Sequence, residues 1–208
     1  MNKTDFIPMT LEYFTAVNST VEETPLDGDP VLKVLKSPEV IKDDEPTYAR
    51  FNGSDDFHDG IIEVKVFSRL LKDAPAHARG FLGVAFRINS ANTAYESIYV
   101  RPLNARCDDQ LRRNHSIQYY SYPEYKYDRL REIAAGKYEA YADMEFEAWI
   151  DLKIEVEGSK ALLFVNNASQ PALIVNDMFH GSDATGGIGL WSEIGTEAYF
   201  KDLKITKK

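Results

Sequence analysis

The chain is predicted to be an all-β protein folded as a two-sheet antiparallel β-sandwich or jelly roll. Three observations predict this. Apolar and polar residues alternate with period two along short runs. Gly, Asn, Asp, Ser or Pro interrupts those runs at short intervals. Only residues 127–135, ended by Gly136, suggest a helix, and their apolar stripe is just Leu130 and Ile133. Many short strands with little helix pack as two sheets.

In chain order, residues 11–16, 31–35 and 47–52 are the early strand candidates, while 18–30 and 37–46, acidic and carrying Pro, read as loops. Residues 60–70 alternate Ile62, Val64 and Val66 with Glu63, Lys65 and Phe67. In 80–89, Leu82, Val84, Phe86 and Ile88 face the core, and Phe81, Gly83, Ala85 and Arg87 face away. Residues 89–92 join that strand to 94–101 as a hairpin loop. There Tyr95, Ser97, Tyr99 and Arg101 share one face, with Glu96, Ile98 and Val100 on the core side. Between Pro102 and Met144 one strand stands out, residues 115–120. Residues 148–156 alternate strictly, a turn at Glu157-Gly158-Ser159-Lys160 follows because Gly supplies positive φ cheaply, and 161–165 returns. Residues 171–175, 186–191 and 197–205 complete the set.

Composition bounds the class. The 208 residues, 44% hydrophobic and 12% aromatic, suit one folded domain over 1–208. A formal charge of -9 opposes nucleic-acid binding, since phosphate contacts need a basic surface. Cys107 is the single cysteine, so no intrachain disulfide forms, and Arg106 and Asp108 beside it make no activation motif. No run is long enough to span a membrane. Residues 1–17, broken by Asp5, Pro8 and Glu12, hold no leader core, which predicts an intracellular chain or one without its leader. Five Asn-x-Ser/Thr triplets occur, and glycosylation of them requires secretion. The histidines show no zinc spacing, and no nucleotide-binding or acyl-hydrolase motif is present.

The ordered segments Gly80-Phe81-Leu82-Gly83-Val84-Ala85-Phe86-Arg87, Tyr95-Glu96, Trp149 to Glu157-Gly158, Ala161-Leu162-Leu163-Phe164-Val165-Asn166, Gly187-Ile188-Gly189-Leu190-Trp191 and Tyr199-Phe200-Lys201-Asp202-Leu203-Lys204-Ile205 resemble the concanavalin A-like lectin/glucanase superfamily. Within it they are similar to the 3-keto-disaccharide hydrolase-like or laminin-G-like domains, over about residues 47–206. The resemblance implies a curved jelly roll whose concave sheet and rim loops bind carbohydrate, an oligo- or polysaccharide. It also implies that structural calcium is possible, with Asp202 the one candidate ligand, and otherwise no cofactor. Two departures bear on activity. Tyr95-Glu96 continues as Ser97-Ile98-Tyr99-Val100-Arg101-Pro102 rather than with Gln and Asp, and no Glu-x-Asp of the glucanase signature occurs.

Nine of the twelve Tyr and six of the ten Arg lie between residues 95 and 141. Tyr offers a flat apolar face with a polar tip, and Arg a planar fork of donors, which together suit a polyhydroxylated or anionic ligand. Tyr99, Arg101, Arg112, Arg113, Asn114, His115, Gln118 and Tyr119 form the principal candidate site, with Tyr99, Arg101, His115 and Tyr119 expected on one face; Arg87, Tyr95 and Arg129 extend it. Glu96, His115, Tyr119 and Asp109 are the candidates for acid or base chemistry. The alternatives are a solvated sheet face with Arg stacked on Tyr, surface ion pairs with Asp108, Asp109, Glu124, Asp128 and Glu132, and for Glu96 a structural ion pair. Three functions stay open: carbohydrate recognition, a glycan hydrolase or lyase, and a structural or protein-interaction domain, homo-oligomeric assembly included.

Overall fold

The computed structural model describes residues 3–208. Its strands are β1 (Lys3–Phe6), β2 (Phe14–Val17), β3 (Ser19–Leu26), β4 (Asp29–Lys36), β5 (Tyr48–Phe51), β6 (Gly60–Leu70), β7 (Leu82–Ile88), β8 (Tyr95–Val100), β9 (Ile117–Tyr122), β10 (Glu139–Ala140), β11 (Ile150–Glu157), β12 (Lys160–Val165), β13 (Leu173–Val175), β14 (Gly187–Ser192) and β15 (Thr196–Lys207). Three short helices, α1 (Pro102–Ala105), α2 (Gln110–Asn114) and α3 (Tyr127–Ala134), fall between β8 and β10. One antiparallel sheet runs β13-β12-β11-β6-β15-β4-β3 with β1 added on β15; the other runs β10-β9-β8-β7-β14-β5-β2. This is the two-sheet sandwich that the alternation predicts.

The eight-stranded sheet keeps one wet face. Ile150, Leu152 and Ile154 stand opposite Val66, Val64 and Ile62, and all six are buried. The intervening Glu63, Lys65, Asp151 and Lys153 remain half-exposed, so period two is preserved. The seven-stranded sheet behaves differently, because every residue of β7, β8 and β14 is buried. Its aliphatic face, with Val84, Ile98 and Leu190, packs into the core. Its other face carries Tyr48, Tyr95, Tyr99, Tyr120 and Trp191, each at most 2% exposed. Gly83 and Ala85, expected to face away from the core, are covered there too. A Cβ on Gly83 would lie 2.5 Å from Tyr99 Cα, so only glycine lets this strand pair sit so close.

Residues 18–30 correct the sequence reading. They form the hairpin of β3 and β4 rather than a loop, turning at Asp27-Gly28 with φ of 54° and 89°. That dipeptide is a strong hairpin signal, masked here by the surrounding acidity. Pro25 is accommodated because β3 is an edge strand, where a missing N–H costs no ladder bond. The segment 37–46 carries no strand or helix, as expected.

Candidate functional site: a pocket at the edge of the tyrosine face

The Tyr/Trp layer is roofed by residues 43–47. Trp191 Nε1 donates to Glu45 O at 3.0 Å and Tyr95 Oη to Asp44 O at 3.4 Å. Tyr122 Oη donates to Glu45 Oε2 at 2.8 Å, Lys126 Nζ to Asp43 O at 2.9 Å, and Thr47 Oγ1 to Ser192 O at 2.7 Å. The Asp44 amide donates to Glu193 Oε2 at 2.8 Å, and Glu193 is ion-paired with Lys36. Five side chains and one backbone amide thus hold the roof on the sheet. The rings below pack on one another: Tyr99 against Trp191 at 4.8 Å, Tyr95 stacked on Tyr122 at 5.0 Å.

Beyond the roof the layer opens into a pocket of about 310 Å³. Phe81, Tyr99 and Tyr127 supply its aromatic surface; Arg79, Arg101, Arg112, Arg131 and His115 its donors; Asp43, Asp44 and Glu193 its acidic side. Arg101 is the pivot. Its guanidinium lies 4.9 Å from the Tyr99 ring centre, donates to Tyr99 Oη at 2.6 Å, and also donates to Gln118 Oε1. It reaches His115 O at 2.9 Å and Glu139 Oε1 at 3.0 Å. Arg131 donates to the same carboxylate at 2.9 and 2.6 Å. Glu139 is therefore shared by two forks, a charge-assisted arrangement that fixes both guanidiniums.

The electrostatics follow from burial and partners. Burial pushes the Glu139 carboxyl upward, but the Arg131 hydrogen bond and the Arg101 and Arg131 charges outweigh it and hold the group below the usual range. Burial lowers His115, which Glu139 only partly offsets, so the imidazole is neutral near pH 7. Its Nδ1 stands 2.8 Å from Glu139 Oε2 without hydrogen-bond alignment. Asp44 is the opposite case. Burial raises its carboxyl to about 7, the Tyr127 amide opposes that, and the charge of Glu193 adds to it. One pocket wall thus holds a carboxyl that takes up its proton near neutral pH, and another an imidazole whose affinity for a proton is lowered.

The structure brings Tyr99, Arg101, Arg112 and His115 together in this pocket, with Gln118 beneath Arg101. It does not bring Tyr119. Tyr99 pairs with Gln118 and Ile98 with Tyr119, so the register puts Tyr119 on the opposite face from Tyr99. There its hydroxyl donates to Glu96 Oε2 at 2.6 Å and accepts from the Phe179 amide at 3.0 Å, while Glu96 Oε1 accepts from the His180 amide at 2.8 Å. Glu96 is thus in the core register, as expected, and tethers the loop before β14. His115 caps the end of α2 rather than opening a strand, because pairing begins at Ile117. Arg87 is enclosed at a bulge and donates to His58 O, Gly158 O and Gly181 O. Tyr95 lies under the roof.

The remaining candidates sit outside the pocket. Arg113 donates to Tyr141 Oη, Asn114 accepts from Gln110, and Arg129 lies over Tyr125 and 3.9 Å from Glu124. Asp109 is the N-cap of α2, accepting from the Arg112 amide at 3.1 Å. Asp202 occupies a positive-φ bulge with its carboxylate 3.4 Å from Lys65 Nζ. Among the described residues no three His, Cys, Asp or Glu converge as a metal site, and no helix is long and apolar enough to cross a membrane. The sequence alone does not single out Asp44, Glu193, Glu139, Arg131, Arg79 or Tyr127. The Tyr/Arg excess over 95–141 takes in Tyr127 and Arg131 without marking them, and the run Asp43-Asp44-Glu45 reads equally well as solvated charge.

No family model matches the chain, and no curated protein is similar to it in sequence. Solved structures do match. The carbohydrate-binding module CBM66 from Bacillus subtilis is 14% identical, with a TM-score of 0.58 over 92% of this chain and 94% of that one. A protein of unknown function with a galectin-like fold, also from Bacillus subtilis, is 13% identical, with a TM-score of 0.56 over 100% of both chains. At such identities the likeness speaks to architecture alone, and it agrees with the strand order above in giving a two-sheet antiparallel jelly-roll sandwich.

Proposed function

We propose that this β-sandwich recognises carbohydrate, taking part of a glycan into the pocket bounded by Tyr99, Arg101, Arg112, His115, Tyr127 and Arg131. One observation carries the reading: flat aromatic faces and fixed planar donors converge on a 310 Å³ cavity, within the size range of small-molecule sites. Aromatic rings take the C–H face of a pyranose, and forked donors with carboxylate acceptors take its hydroxyls. The likeness to a carbohydrate-binding module and the resemblance to the 3-keto-disaccharide hydrolase-like domains support the same ligand class. A glycan array followed by calorimetry tests it. Tyr127→Ala, a change at the pocket wall, is expected to weaken the best ligand about tenfold, the worth of one aromatic contact. An array without any bound glycan, or undiminished affinity in the variant, sinks the reading.

A second reading, glycan processing by a hydrolase or lyase, is favoured by one observation, the Asp44 carboxyl pushed up to about 7 and the His115 imidazole pushed down in a single cleft. Groups whose surroundings push their titrations apart are how acid and base are assigned at one pH. A turnover screen over the glycans that bind is its test. Asp44→Asn is expected to abolish turnover, by at least about 100-fold, while binding persists; unchanged turnover removes Asp44 from any such role.

A further inference from the structure

The positive charges of this pocket differ in one respect that its lining alone does not reveal. Arg101 and Arg131 are each paired with Glu139, which cancels one of their two charges. Just outside the lining, Lys36 is neutralised by Glu193 and Lys126 by Glu45. Arg79 and Arg112 are not neutralised: among the described residues no carboxylate lies within 4.0 Å of either guanidinium. Arg79 spends Nη1 on two backbone carbonyls, Ala76 O at 2.7 Å and Ala78 O at 2.6 Å, which leaves Nη2 without a protein acceptor. Arg112 spends only Nε, on Asn104 Oδ1 at 3.3 Å, and keeps both terminal nitrogens free. Both residues are half-buried and line the same cavity.

The two guanidiniums are also neighbours. Burial first, and then the Arg112 charge, hold Arg79 below the ordinary arginine value against an opposing effect of the Cys107 thiol, and no carboxylate contributes to that balance. Asp44, by contrast, feels Glu193, Arg101 and Asp43. The cavity is therefore polarised. One end offers the free fork of Arg112 and the free Nη2 of Arg79, neither with a carboxylate partner, and the other offers carboxyl groups that accept hydroxyl hydrogens. Two like charges, half-buried and facing one cavity, repel each other, and an anion between them relieves that repulsion.

Building on the carbohydrate reading, we infer that the ligand is an acidic sugar, whose carboxylate or sulfate ester is bound by Arg79 and Arg112 while its hydroxyls meet Asp43, Asp44 and Glu193. A planar fork matches a carboxylate bidentately and a sulfate nearly as well, which neutral sugars cannot exploit. The polarity also sets the orientation of the ring, acid group toward α2 and hydroxyls toward the roof.

The test uses the full chain with matched probes that differ only in charge: a short oligogalacturonate and its methyl ester, and a sulfated oligosaccharide with its unsulfated parent. Inorganic sulfate is the sugar-free control. Calorimetry is expected to give at least about tenfold tighter binding for one acidic member over its neutral partner. Arg112→Gln, on the surface of a short helix and checked for an unchanged melting temperature, should bring the acidic and neutral members of each pair to equal affinity. Equal or better binding of the neutral members, or a preference that survives both Arg112→Gln and Arg79→Gln, overturns the inference. If neutral glycans bind and acidic ones do not, the inference falls and carbohydrate recognition stands. If no sugar binds but sulfate raises the melting temperature of the parent and not of Arg112→Gln, the anion site stands and carbohydrate recognition falls.

Discussion

Asp44 is 2% exposed, has a positive φ of 53°, and accepts from the Tyr127 amide while its own amide donates to Glu193. Its carboxyl keeps a proton up to about pH 7 in the folded chain but only to about 3.8 when unfolded. Folding therefore loses stability as pH rises through that window, and the loss is complete above it. Asp44→Asn keeps an acceptor for the Tyr127 amide and removes the titration. The variant is expected to be more stable than the parent above neutrality by up to about 4 kcal/mol, with the gap closing toward pH 4. Denaturant curves across that range check this; parallel curves would show that Asp44 is ionised throughout. Tyr119 makes a second residue-scale case. Removing its hydroxyl in Tyr119→Phe leaves Glu96 and the Phe179 amide each short of a partner, at a cost of about 1–3 kcal/mol. Hydrogen exchange at the Phe179 and His180 amides should quicken more than at β11; equal change at both sites would mean the network is not a local tether.

At the level of elements, legibility depends on water. Strands with one wet face, such as β6 and β11, show their period and are readable to within two residues. The strands β7, β8 and β14, covered on both sides, show apolar and aromatic residues on each face, so the side that bears the site is ambiguous in sequence. Register is the other gap. Side chains alternate, but nothing in 94–101 or 115–120 says which residue of one opposes which of the other; alternation alone groups Tyr119 with Tyr99, and the observed pairing parts them. The roof is invisible for a different reason. Its polar residues look like any surface loop until Asp44 meets Glu193, 149 positions away. Arg101, Arg112, Tyr99 and His115 are recoverable because aromatic and forked donors are conspicuous in an acidic chain.

Across the whole molecule, the two sheets do different work. The eight-stranded sheet carries alternating charge on its outer face, where Lys204–Glu63, Lys65–Asp202 and Lys153–Glu155 pairs lie within 2.6–3.4 Å; such exposed pairs add little stability and chiefly keep the face wet. The seven-stranded sheet instead supports a dry aromatic layer beneath a pinned segment, and the pocket survives only where that segment stops. Rings already covered cannot serve as a track for a polymer sliding along the sheet, and the pinned segment bars one end of the cavity. If the proposed recognition holds, a long glycan would be met at its terminus, so occupancy should count chain ends rather than chain mass: cutting a polysaccharide into shorter pieces would multiply its binding capacity instead of destroying it.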